Sequence, residues 1–140
     1  MKQSLGNAVQ DFCGTWKLLR EESNYSLGSP PASGTYSIKL VGEKVLFHVS
    51  WEEQNEQTYQ VEFSGIPDGE KHPFKGQGVD FVKYEITADG KFISAAYKDR
   101  NILNEATRSL SADKTQMFVT QRILGQDGQL HANYSVYSKE

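Results

Sequence analysis

The chain has 140 residues and a mass of 15.8 kDa, the size of one ordinary domain. Lys and Arg number 15 against 18 Asp and Glu, and the resulting net charge of −3 excludes a broad basic surface for binding nucleic acid. Hydrophobic residues make up 37% of the chain, below the usual value of about 45–50%, yet aromatic residues reach 11%. This balance favours a sheet protein with a partly polar interior and excludes a disordered chain.

The cysteine content and the start of the chain bear on its compartment. A lone cysteine, Cys13, excludes an intramolecular disulfide or a cysteine-based metal cluster, and we expect it to be a small buried hydrophobe. Residues 1–7 contain no apolar segment typical of a signal peptide, and no run approaches the roughly 18 apolar residues of a membrane span. We therefore expect a cytoplasmic protein, unless a signal peptide was trimmed from the sequence, in which case a periplasmic or secreted location would fit.

Alternation of apolar and polar residues runs along almost the whole chain after residue 13. It predicts at most a short helical turn within residues 2–12, followed by nine β-strands and a short tenth one at 72–76. The nine are 13–22, 34–41, 44–51, 57–64, 79–87, 91–98, 103–110, 115–124 and 130–138. Short links such as Asp89-Gly90 and Asp127-Gly128 supply the positive φ of tight hairpins, so neighbouring strands must be antiparallel. The pattern predicts a single all-β domain over residues 1–140, either a barrel or a sandwich.

The middle strands have one apolar face each, whereas the last strands are mixed. The apolar faces include Phe47, Val49, Tyr59, Phe63 and Tyr84. In strand 103–110 either face would bring polar groups inward, and Arg108 lies on one of them. A lumen that is apolar on one side and polar on the other would suit an amphiphilic guest.

The motif Gly14-Thr15-Trp16-Lys17-Leu18, at the start of the first strand, resembles the Gly-x-Trp signature of the calycins, the superfamily of lipocalins and fatty-acid-binding proteins. The ending Tyr134–Lys139 is similar to the closing strand of fatty-acid-binding proteins. A closer likeness, over residues 12–139, is to small bacterial lipocalin-like proteins of unassigned function. It is carried by the glycine- and proline-marked stretch 65–78, by Arg108–Asp113, by Thr120-Gln121 and by Val136-Tyr137. The resemblance implies a single up-and-down antiparallel β-barrel of 8–10 strands, in which Trp16 plugs one end and Gly14 lets another segment cross close by.

Two departures from fatty-acid-binding proteins concern the ligand site. Those proteins carry two helices between the first two strands, for which segment 23–33, with two prolines, is too short. Their anion clamp pairs an arginine of the eighth strand, matched here by Arg108, with an Arg-x-Tyr of the last strand, matched by Ser135 and Tyr137. The resemblance thus places Ser135 and Tyr137 inside the barrel, whereas simple alternation places Leu130, Ala132, Tyr134 and Val136 there.

These observations predict non-catalytic binding of a small hydrophobic or amphiphilic molecule in the barrel lumen. Phe47, Val49, Tyr59, Phe63 and Tyr84 would bury the apolar part, and Arg108 and Tyr137 would orient the polar end. The alternative for Arg108 is that it faces solvent or pairs with Glu105. No nucleophile, phosphate loop or metal spacing predicts an enzyme or a cofactor.

Two other functions remain open at this stage. The barrel could be closed and act as a protein-interaction or inhibitor domain through loops 23–33 and 65–78, with Tyr25 and Phe74 exposed. It could also bind haem through His72, since one calycin branch uses a single histidine, whereas His48 is predicted to be exposed. In each case we expect a monomer or weak dimer without a nucleic-acid partner.

Overall fold

Antiparallel strands make up most of the chain in the computed structural model, which describes residues 9–25, 30–76 and 78–140. Residues 9–12 are helical; the rest of the predicted helical turn lies outside the described residues. The strands of the described part are β1 (Gly14–Leu18), β2 (Asn24–Tyr25), β3 (Ser33–Val41), β4 (Lys44–Glu52), β5 (Thr58–Gly65), β6 (Lys71–Gly76), β7 (Val79–Ile86), β8 (Phe92–Lys98), β9 (Asn101–Leu110), β10 (Gln116–Leu124) and β11 (Leu130–Lys139).

The predicted first strand, 13–22, is the one that the structure divides. It ends at Leu18, and a 3-10 turn at Arg20–Glu22 leads into the two-residue strand β2. The hydroxyl of Ser23 donates a hydrogen bond to the carbonyl of Leu19, at 2.9 Å, and the Glu22 amide donates to the same carbonyl. A side chain that bonds the local backbone in this way competes with strand pairing, which explains the break.

The strands form one sheet that curls into a nearly closed barrel. Its order is β5-β4-β3-β1-β11-β10-β9-β8-β7-β6, with β2 added beside β11, and all pairs are antiparallel. The two edges, β5 and β6, meet through side chains: the rings of Phe63 and Phe74 stack with centroids 5.4 Å apart. Next to them, a Cβ atom on Gly65 would lie only 2.3 Å from the ring of Tyr84, so a glycine at this position leaves room for the ring.

One end of the barrel is filled by a core around Trp16, which is fully buried. Its indole Nε1 donates to the carbonyl of Phe12 at 2.9 Å, and the Phe12 ring meets Phe92 edge to face. Gly14, two residues before Trp16, has a φ of +133°, a backbone conformation that favours glycine. A Cβ atom at this position would also lie 3.1 Å from the side chain of Lys139, which crosses close by. The other large, fully buried side chains of this core are those of Val9, Ile38, Val45 and Met117.

The last strand turns Ser135 and Tyr137 inward, as the family resemblance implies, and leaves Leu130 and Tyr134 exposed. Simple alternation of burial fails here because Val136, on the outer face, is also buried. The segment before β2 covers it: the amide of Leu19 donates to the carbonyl of Val136, and the Val136 amide donates to the hydroxyl of Ser23. Within the described residues no helix is long and apolar enough to cross a membrane.

Candidate functional site

The barrel encloses a cavity of about 540 Å³ beside the Trp16 core. This volume lies within the range of about 300–1,000 Å³ for pockets that bind small molecules. Side chains from both halves of the sheet line it, so the interior is not packed solid.

Most of the predicted binding residues line this cavity. They are Phe47, Val49, Phe63, Tyr84, Arg108 and Tyr137. Tyr59 does not line it: the side chain is 44% exposed and its ring stacks on Trp51, with centroids 5.7 Å apart. Tyr59 lies on the same face of β5 as Val61 and Phe63, as predicted. It is paired with Trp51 next to the β4–β5 hairpin, however, and therefore lies at the rim of the barrel.

Arg108 points inward and is only 4% exposed. Its Nε donates to the hydroxyl oxygen of Tyr36 at 2.9 Å, and Nη2 donates to the same oxygen. The guanidinium carbon lies 4.8 Å from the centroid of the Phe47 ring and 5.6 Å from that of Phe92. Both alternatives for Arg108 are therefore wrong. The side chain does not face solvent, and Glu105, three residues away on the same strand, lies on the opposite face of the sheet.

The charge of Arg108 has no counter-ion in the part of the chain that the structure describes. The salt bridges between described residues involve other cations, and Nη1 is buried without a hydrogen-bond partner. Burial of a charge is costly unless it is paired and fully hydrogen-bonded. The site therefore favours an anion.

The tyrosines around Arg108 are neutral hydrogen-bonding groups. Burial raises the pKa of the Tyr84 hydroxyl, against the opposing effect of the nearby Arg108 charge. Burial also raises the pKa of Tyr137, with smaller contributions from Tyr25 and Tyr36 in the same direction. Both hydroxyls keep their protons at neutral pH, so they can donate to an anion beside Arg108.

The two sides of the lumen differ in chemistry. Strands β9 to β11 and β2 supply a mainly polar wall, in which Ala106, Val119 and Ile123 lie among Tyr25, Asn104, Arg108, Gln121, Asn133 and Ser135. The β4–β5 and β7 side supplies a mainly apolar wall, made of Phe47, Val49, Val61, Phe63 and Val82, with Ser50, Glu53 and Tyr84 as its polar lining residues. The alternation of residues in the last strands predicts polar groups on both faces, but it does not single out Tyr25, Tyr36, Asn104 or Gln121 as residues of the site. A usable signal was present, because Asn104 and Ser135 share their parity with Arg108 and Tyr137.

No family model and no curated protein matches this chain. Among solved structures, the S-type phycobiliprotein lyase CPES from Guillardia theta is 14% identical with a TM-score of 0.64, over 97% of this chain and 92% of that one. Zebrafish ileal bile acid-binding protein in complex with cholic acid is 16% identical, with a TM-score of 0.55 over 93% and 99% of the two chains. The siderocalin Ex-FABP, described as functioning through dual ligand specificities, is 9% identical, with a TM-score of 0.55 over 93% and 71%. This chain has the calycin fold. At these identities the likeness concerns the fold alone.

The histidines lie away from the lumen. His48 bonds to the amide oxygen of Gln60 at 2.9 Å on the outer face, as its parity predicts. The Nε2 of His72 contacts both carboxylate oxygens of Asp68, and His72 does not line the cavity, so the geometry does not favour haem ligation by this residue. No group of three or more metal-binding side chains occurs in the described ranges.

The loops proposed as an interaction surface present their aromatic residues differently from the prediction. Tyr25 is half-buried, lines the cavity, and its hydroxyl lies 3.0 Å from the Ser135 hydroxyl. Burial is the main cause of its raised pKa. Phe74 is half-buried on Phe63. Residues 26–29 and 77 of these loops lie outside the described residues.

Proposed function

We propose that this protein is a non-catalytic binding protein that holds a small amphiphilic anion in its lumen, with the anionic head beside Arg108. The observation that carries the proposal is a guanidinium buried in a cavity of about 540 Å³ without a counter-ion among the described residues. The fixed hydrogen bonds to Tyr36 hold it in place before a ligand arrives.

The apolar wall supports an amphiphile in preference to a small polar anion. Burial of apolar ligand surface against Phe47, Val49 and Phe63 would contribute about 25 cal/mol per Å². The neutral hydroxyls of Tyr84 and Tyr137 would donate to the head. The cholic acid bound to the zebrafish bile acid-binding protein is an amphiphilic acid of this kind.

A non-catalytic role fits the distribution of carboxylates. Glu53 lines the cavity, and its Oε1 accepts a hydrogen bond from Trp51 Nε1 at 3.0 Å at the rim, away from Arg108. The histidines, the usual general bases, lie outside the lumen. The described lumen thus contains a binding set without a base placed beside a nucleophile.

The proposal is tested with two ligands of equal chain length, decanoate and decanol, measured by isothermal titration calorimetry. A hydrogen bond to a charged group contributes about 1.5–3 kcal/mol, so Arg108→Met should weaken decanoate binding about 10- to 100-fold and leave decanol within about threefold. Arg122→Met is the matched control, because Arg122 is exposed on the outer face of β10. If wild-type protein binds neither ligand, or if Arg108→Met weakens both equally, an anionic head at Arg108 is excluded.

A further inference from the structure

The polar wall extends well beyond Arg108, and the proposed anionic head leaves most of it without a role. In the register of the sheet, Gln121 on β10 lies opposite both Ala106 on β9 and Asn133 on β11. Asn104 lies one inward position further along β9, and Asn133 in turn pairs with Tyr25 on β2. Amide and hydroxyl groups therefore form a band across four neighbouring strands, which passes Ala106 and reaches β9 through the hydrogen bond between Gln121 and Asn104.

This band offers both donors and acceptors. Gln121 Nε2 donates to Asn104 Oδ1 at 3.1 Å, a bond that leaves the amide nitrogen of Asn104 and the carbonyl oxygen of Gln121 for further hydrogen bonds. The Tyr25 and Ser135 hydroxyls share one bond, and each oxygen can take part in others. Around Arg108, by contrast, the guanidinium and the tyrosine hydroxyls favour an anion. The band is therefore suited to neutral groups that donate and accept at once, above all hydroxyls.

The opposite wall is lined mainly by the apolar side chains of Phe47, Val49, Val61, Phe63 and Val82, and its polar lining residues are Ser50, Glu53 and Tyr84. A straight alkyl chain would cover the amides of Asn104 and Gln121 and displace water from them without replacing its hydrogen bonds. Sites built to bond a ligand hydroxyl discriminate strongly against the analogue that lacks it, because their own polar groups are then left unpaired.

We infer that the lumen selects facially amphiphilic acids, which are rigid molecules with an apolar face, hydroxyls along the opposite face and an anionic end. The inference rests on the proposed function: Arg108 takes the anionic end, the apolar wall takes the bare face, and the band of Asn104, Gln121, Ser135 and Tyr25 takes the hydroxyls.

The test compares cholate, whose hydroxyls all lie on one face, with cholanate, which has the same skeleton and carboxylate but no hydroxyl. Binding is measured by titration calorimetry below the concentration at which either acid forms micelles. Cholate should bind at least about tenfold more tightly than cholanate, although cholanate is the more hydrophobic acid. Equal affinities, or tighter binding of cholanate, would overturn the inference.

A double variant tests the role of the band independently of the anionic head at Arg108. Asn104→Leu/Gln121→Met replaces both partners of one hydrogen bond by apolar groups, a change that stability tolerates. It should remove the preference for cholate, whereas decanoate should bind at least as tightly as before because its alkyl chain no longer covers two amides. Thermal unfolding verifies that the variant is folded. Asn101→Leu/Gln60→Met, at exposed positions, is the matched control and should retain the preference.

The outcomes distinguish the two proposals. If decanoate binds through Arg108 and cholanate equals or exceeds cholate, the facial inference fails and the proposed function stands. If the double variant retains the preference for cholate, the amides of the band do not bind the ligand hydroxyls and the facial inference fails. If none of the acids binds, the proposed function fails.

Discussion

Filling the lumen from within should stabilise the protein and abolish binding at the same time. Ala106 is buried on β9, lines the cavity and pairs with Ser94 and Gln121 on its neighbours. A phenyl ring at this position would extend into a space of about 540 Å³. Fully burying a Phe side chain contributes about 1.5–3 kcal/mol, so Ala106→Phe should gain about 1–2 kcal/mol over the methyl group. For a chain of this size that is a rise of about 3–8 °C in Tm.

The assay combines thermal unfolding without ligand and calorimetric titration with decanoate. Affinity should fall at least about tenfold, equivalent to about 1.4 kcal/mol, because the ring takes up room that the ligand needs. Ala132→Phe is the control: Ala132 is exposed on the outer face of β11, so neither Tm nor affinity should change appreciably. If Ala106→Phe instead loses about 1–3 kcal/mol of stability, the lumen is already packed and the reasoning is refuted. Unchanged decanoate binding would place the ligand elsewhere.

Three further predictions concern the barrel itself. Because burial raises the pKa of Tyr84 and Tyr137, the unfolded chain ionises these groups near pH 10 before the folded one does. The stability from their neutral forms is therefore complete below about pH 10 and falls as the pH rises above it, which urea unfolding at pH 8 to 11 would reveal, and a Tyr84→Phe/Tyr137→Phe variant should show a shallower fall. Trp16→Ala should lower the free energy of unfolding by about 3–5 kcal/mol, measured by urea titration, and a loss below about 1 kcal/mol would contradict a plugging role. Gly65→Ala should destabilise by about 1–3 kcal/mol, since its Cβ would overlap the Tyr84 ring, and an unchanged Tm would show that the ring moves aside freely.

Most strand bounds could be predicted from the sequence because two local signals agree along the chain. Alternation with a period of two fixes the faces, and Asp-Gly turns such as Asp89-Gly90 fix the ends, so 91–98 was expected where β8 spans Phe92–Lys98. The break after Leu18 could not be predicted in the same way, because it depends on the hydroxyl of Ser23 and on contacts with β11 that no local pattern contains.

The site was harder to predict than the fold, because inward polar residues blur the pattern that identifies an inner face. Arg108 could be singled out by resemblance, but its direction depended on which mixed face of β9 turned inward. Tyr36 alternates with Ile38 and Leu40 on an apolar face of β3, yet its hydroxyl oxygen accepts hydrogen bonds from Arg108. Tyr59 shows the converse: correct parity does not place a side chain in the lumen when the strand reaches beyond it.

The most direct test of the account is a crystal structure of the protein with decanoate. The account predicts the alkyl chain inside the barrel and a carboxylate oxygen within about 3.2 Å of the Arg108 guanidinium, at ordinary hydrogen-bond distance. A carboxylate at the rim with the chain pointing inward, or decanoate bound outside beside Trp51 and Tyr59, would contradict it.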